Sequence, residues 1–192
     1  MTTLVYGVGI NDRSVAATLN GKITKEYNLW SGMLERCYSK PYLEKQPTYI
    51  GCSVSDTFLY YHLFYNWCQT QVGFGKEGYQ LDKDLLIKGN KVYSEDTCVF
   101  IPKEVNNLLV KSNSIRGLYP IGVSKKGLKF QAHCTIFGKP KCLGVFDTPE
   151  LAFEAYKLAK ENHIKDIALK YKDFIDTRAF NALINYKVDI GD

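Results

Sequence analysis

Residues 121–146 limit the fold of this 192-residue chain more tightly than any other stretch. Three short extended runs, 121–126, 129–137 and 140–146, are separated by Gly127 and Gly138. Short runs punctuated by glycine turns predict a meander of antiparallel strands. Along the middle run Phe130, Ala132, Cys134 and Ile136 alternate with Lys129, Gln131, His133 and Thr135. Side chains alternate across a strand, so one face is apolar and the other polar. Thr148-Pro149-Glu150 then supplies a cap, a first-turn proline and a first-turn acid, which together open a helix. Ala152, Ala155, Tyr156 and Ala159 share one face of that helix, and small residues there let it lie close on the apolar side of the sheet. The opposite face, carrying Lys126, Lys129, Gln131, His133 and Lys141, is left uncovered.

Charge points the same way. Between Val105 and Phe146 there are seven Lys or Arg and no Asp or Glu, in a chain whose whole net charge is only +5. A one-sign block on a sheet makes a field that attracts a polyanion. Nucleic acid fits best, because neutralising phosphates releases counterions without any base being read. A sheet can enter the major groove and offer donors to base edges, and Gln131, His133 and the lysines are such donors. Lys125, Lys139 and Arg116 belong to the same block and join the candidate DNA contacts. The alternative for any basic block is a solvated lysine-rich surface.

With 45% apolar and 14% aromatic residues, the chain can bury a core as one domain or two small ones. No apolar run approaches the roughly 20 residues that span a bilayer, so no membrane partner is expected. The start, MTTLVYGVGINDR, does not read as a secretion signal, which implies a reducing cytoplasm. There the six cysteines read as buried thiols rather than disulfides. With no Cys-X-X-Cys pair and three His, no zinc is expected.

Residues 1–26 read as an irregular arm with at most one short strand. From Tyr27 to Tyr38, Trp30, Met33, Leu34 and Cys37 recur at helical spacing. Residues 39–51 read as loop. Residues 56–69 read as a second helix, whose stripe of Phe58, Tyr61, Phe64, Tyr65 and Trp67 is core rather than a base-stacking platform. Gly73, Gly75 and Gly78 make a loop without the frame of a phosphate-binding loop. Next come an extended piece (80–87), a turn at Lys88-Gly89-Asn90-Lys91, a second extended piece (98–101) and a helix opened by Pro102. Residues 160–186 read as helical, and no repeats occur.

Two resemblances add to this reading. The segment GVSKKGLKFQAHCTIFGKPKCLGVFDTPELAFEAYKLAK resembles the plant ethylene-response-factor (Apetala-type) DNA-binding domain, in the version found in bacteriophage homing endonucleases. The match rests on Ile121-Gly122-Val123, on Leu143-Gly144-Val145-Phe146-Asp147-Thr148, and on Ala152, Ala155 and Tyr156. It implies a three-stranded sheet laid in the major groove of double-stranded DNA with one helix behind. The strands lack the several Arg and Trp base readers of the plant domains, so sequence specificity does not carry over.

The preceding unit, LDKDLLIKGNKVYSEDTCVFIPKEVNNLL, resembles the HNH (ββα-metal) nuclease fold. That resemblance puts Asp82 and Asn106 at the ligands of one Mg²⁺ or Mn²⁺ ion on the scissile phosphate, with Phe100 as the aromatic of the second strand. Hard oxygen ligands leave open positions for phosphate and water. Lys83 stands where the family has its His. To act as a base, a lysine must fall about three pKa units from near 10.4, roughly 4 kcal/mol. Three roles are open to Lys83: a depressed base, a charged stabiliser of the transition state, or part of a site that only binds. Asp84 is a candidate further ligand or water-orienting acid; His62 is an alternative source of the imidazole but, on an aromatic helix, reads as a packed core residue.

The expectation is therefore an α+β protein, with a helical N-terminal part and a ββα-metal-like unit in residues 1–110 and a linker at 111–119. A three-stranded antiparallel sheet on one helix, with C-terminal helices, then fills residues 120–192. Its expected function is metal-dependent cleavage of DNA in the cytoplasm of an infected bacterium. The alternatives are a non-catalytic DNA-binding protein on the same scaffold and a phage factor that binds an acidic protein.

Overall fold

The computed structural model of the chain describes residues 4–109 and 118–190. A short antiparallel pair, β1 (Thr18–Leu19) and β2 (Lys22–Ile23), leads into helix α1 (Lys25–Tyr38). Thr24 caps α1 by accepting the Tyr27 N–H, and Glu26 sits in the first turn, where a carboxylate favours the helix dipole. Helix α2 (Lys40–Lys45) and a single 3₁₀ turn (Pro47–Tyr49) occupy a stretch expected as loop, each opened by a proline in its first turn. Strand β3 (Ser53–Val54), a 3₁₀ turn (Thr57–Leu59) and helix α3 (Tyr61–Thr70) follow.

The helix read over residues 56–69 is thus broken at Tyr60, which is extended at φ −94° and ψ 121°. The N-terminal arm is the cause. Ile10 donates to the Leu59 carbonyl at 2.8 Å and accepts from the Tyr61 N–H at 2.9 Å, holding Tyr60 in a parallel bridge. Beyond α3, strand β4 (Tyr79–Asp82) pairs antiparallel with β6 (Val99–Pro102), and β5 (Val92–Tyr93) pairs parallel with β3. The extended piece expected to reach residue 87 ends at Asp82. Helix α4 (Lys103–Leu109) follows β6 directly.

Two compact units result, Met1–Lys103 with Phe174–Ala179, and Glu104–Asp173 with Phe180–Asp192. Of the linker expected at 111–119, residues 111–117 lie outside the described residues; the second unit starts at Glu104. Glu104 joins the second unit because its carboxylate accepts from Lys170 Nζ and the Tyr171 hydroxyl, each at 2.6 Å.

In the first unit Trp30, Met33, Leu34 and Cys37 pack on Phe58, Tyr61, Phe64 and Cys68. The Trp30 indole N–H finds the Phe58 carbonyl at 2.7 Å, so the largest core ring leaves no orphaned donor. Tyr65 and Trp67 lie against the same core, which makes the aromatic stripe structural. His62 is not part of it: its Nδ1 lies 3.0 Å from Asp12 Oδ2.

In the second unit β7 (Val123–Lys126), β8 (Lys129–Ile136) and β9 (Lys139–Phe146) form an antiparallel meander in that order. Helix α5 (Pro149–Tyr171) is capped by Thr148; helix α6 (Thr177–Ile184) follows, its residues up to Ala179 counted with the first unit and the rest with the second. Ala152, Phe153 and Tyr156 bury against Val123, Ala132 and Cys134, with Phe130 and Ile136 packed beside them. Gly122 makes this close approach possible. Its φ is +75°, and a Cβ there would run into the Tyr156 ring. The chain is α+β. Among the described residues no helix is long and apolar enough to cross a membrane, and all six cysteines are free.

Candidate nucleic-acid interface and carboxylate strand end

Residues paired across an antiparallel ladder point to the same face. Ala132 and Cys134 mark the face covered by α5; Gln131 and His133 mark the open one. Register puts Lys126 opposite Lys129 and Ser124 opposite Gln131, so these four share the open face. Lys125 lies opposite Phe130, on the helix-side face. The middle strand therefore alternates as expected.

The third strand does not. Ala132 pairs with Gly144 while His133 pairs with Cys142, leaving Leu143 as an extra residue in a β-bulge. Leu143 packs into the core, and Cys142 takes the open-face position beside His133. Lys141 pairs with Cys134 and Lys139 with Ile136, so both stand on the helix-side face although exposed. The expectation that Lys141 shares the open face is corrected: one inserted residue reverses the alternation. Arg116 lies outside the described residues.

Acids are absent from the strands but not from their margin. Lys129 Nζ lies 2.8 Å from Asp147 Oδ1, the first residue beyond the acid-free block. Both ends of this pair are more than half exposed, so it competes weakly with another anion. Gln131 donates to Cys142 Sγ at 2.9 Å, and that contact, followed by the Gly144 N–H, pulls the exposed thiol below its usual pKa. Lysines sit at both turns of the meander, Lys125 and Lys126 at one end of β8 and Lys139 and Lys141 at the other. Eight residues of β8 separate those ends by about 23 Å at ~3.3 Å per residue.

In the first unit, the end of β4 carries Asp82, Lys83 and Asp84. Asp82 is buried, and its Oδ1 accepts the backbone N–H groups of Asp84 at 3.1 Å and Leu85 at 2.7 Å. An aspartate holding its own downstream backbone is what turns the chain out of the strand here. Burial first, and Asp84 second, push the Asp82 carboxyl up to about 6. Asn90 closes the loop, its Nδ2 donating to the carbonyls of Lys83 and Val92, each at 2.7 Å. Lys83 is buried too; its Nζ meets Asp84 Oδ2 at 3.2 Å and lies 5.7 Å from the centre of the Tyr93 ring.

Asp82, Lys83 and Asp84 are thus brought together, and Asn106, half-buried on α4, belongs to the second unit. Phe100 is buried on β6 against Trp67 and Phe74. Two adjacent carboxylates, the second half exposed, suit an ion such as Mg²⁺ that keeps most of its water. Sequence reasoning missed Arg36, whose Nε donates to the Tyr93 hydroxyl at 3.1 Å. The two residues are 57 positions apart, and no short-range pattern links them. No protein-family model, curated protein or solved structure matches the chain.

Proposed function

We propose that this chain binds double-stranded DNA through the open face of the β7–β9 sheet. The observation that carries this reading is that α5 covers only one face, leaving Lys126, Gln131 and His133 on a face whose strands bear no carboxylate. Gln131 and His133 are suited to base edges in the major groove, and the lysines at the two turns to the phosphates on either side. Lysines that point to the helix side still serve, because a phosphate contact needs charge and reach rather than a fixed face.

The test is fluorescence anisotropy of a labelled duplex over a range of salt. Affinity should fall steeply with salt, and Lys126→Ala, Gln131→Ala and His133→Ala together should weaken binding at least tenfold. An unchanged affinity in that triple variant rejects the reading.

A second reading adds metal-dependent cleavage, favoured by the two carboxylates at the end of β4. Asp82 and Asp84 would hold Mg²⁺ or Mn²⁺, which supplies a polarised phosphate and a more acidic water. Lys83, tied to Asp84, is then suited to stay charged beside the phosphate rather than to act as a base. On this reading plasmid nicking requires divalent metal and disappears in Asp82→Ala while binding survives. Binding without nicking in the wild type leaves the chain as a non-catalytic DNA-binding protein.

A further inference from the structure

We propose that Arg36 and Lys83, which both face Tyr93 in the first unit, form a second contact site for backbone phosphate of DNA. This rests on the reading that the chain binds DNA, but on different residues. Tyr93 is buried, and it fixes Arg36 twice. Its hydroxyl accepts from Nε at 3.1 Å, and its ring centre lies 5.5 Å from the guanidinium carbon. That uses one of the five guanidinium N–H donors and leaves the outer fork for a bidentate acceptor. Among the described residues no carboxylate forms an ion pair with Arg36, which is half-buried. Lys83 Nζ stands 5.7 Å from the centre of the same ring, with Asp84 as its acid.

Arg36 thus carries its charge in a setting poorer in water than the surface, with no carboxylate paired to it among the described residues. An oxyanion supplies the missing partner, and a half-buried guanidinium binds one more strongly than a fully solvated group does. The fork geometry selects two oxygens on one centre, as in a phosphodiester. Tyr93 pre-orders the fork, so little side-chain freedom is lost on binding.

The test counts charges. For B-DNA the slope of log K against log salt changes by about 0.9 for each phosphate contact. Arg36→Gln and Lys83→Gln should each make the slope shallower by about 0.9, and the double variant by about 1.8. Arg36→Lys, which keeps the charge, should keep the wild-type slope; a purely structural role for Arg36 predicts that the Lys and Gln variants behave alike. Wild-type slopes in folded Arg36→Gln and in Lys83→Gln overturn the proposal, and if Arg36→Gln does not fold, an unchanged slope in Lys83→Gln does so alone. Inorganic phosphate that raises the melting temperature of the wild type, with all slopes unchanged, also overturns it in favour of a free-phosphate site. The sheet triple variant separates the two readings. Full affinity there rejects the sheet as the interface and leaves the Arg36 result to be judged on its own slopes.

Discussion

Asp82 is 8% exposed, and its carboxyl titrates at about 6 instead of 3.8, mainly because burial disfavours its charge and secondly because Asp84 is near. An acid whose pKa is higher in the folded chain holds its proton more tightly there. Folding is therefore favoured below the unfolded value, and stability is lost as pH rises from about 4 through about 6, then levels off. The interval corresponds to about 3 kcal/mol at ~1.4 kcal/mol per pKa unit. Asp82→Asn removes the charge and keeps an oxygen that can accept the Asp84 and Leu85 N–H groups. The amide accepts these N–H groups about as well as the protonated acid does at low pH. The variant should thus be about 3 kcal/mol more stable than wild type at pH 8, with most of the difference gone by pH 4. For a chain of this size that is a rise of about 6–12 °C in Tm. Thermal unfolding followed by circular dichroism from pH 4 to pH 8 measures it. If the two proteins melt together across that range, or if the variant melts lower at pH 8, Asp82 does not carry a disfavoured charge and the account of the strand end is wrong.

Two predictions concern the second unit. Gly122→Ala should cost about 2–4 kcal/mol, because φ +75° disfavours any side chain and the added Cβ has no room beside Tyr156; a urea midpoint near that of wild type would contradict this. His163 is buried, its Nδ1 has no hydrogen-bond partner among the described residues, and its Nε2 accepts from the Phe137 N–H at 3.3 Å; burial first and Lys160 second hold its pKa below 6.5. A depressed histidine favours folding above its unfolded value, so stability should fall as pH drops below about 6.5. His163→Leu should give a flatter profile over pH 5–7 in the same unfolding assay, and a parallel one would exclude the histidine as the source.

What could be read in advance, and what could not, follows the range of each interaction. The meander, its helix and the buried side of β8 were legible because strand alternation and the Thr148-Pro149-Glu150 start are local signals. The same alternation misplaced Lys141. It assumes an uninterrupted period of two, and the Leu143 bulge breaks it by satisfying the core, a tertiary demand with no mark in the lysines themselves. The break at Tyr60 has the same origin, since Ile10 comes from some 50 residues upstream. At the strand end, residue types suggested metal ligands but did not show that Asp82 also spends one oxygen on its own backbone, a short-range role that aspartate fills in any turn. Arg36 lay furthest from view, because only the fold brings α1 to Tyr93. The charge that looked like one patch in sequence is thus spread over two faces of the sheet and its two turns. The proposed DNA interface makes a definite demand on affinity measurements. Each lysine should add a similar, modest increment to the salt slope wherever it points, whereas base discrimination should respond only to Gln131 and His133 on the open face.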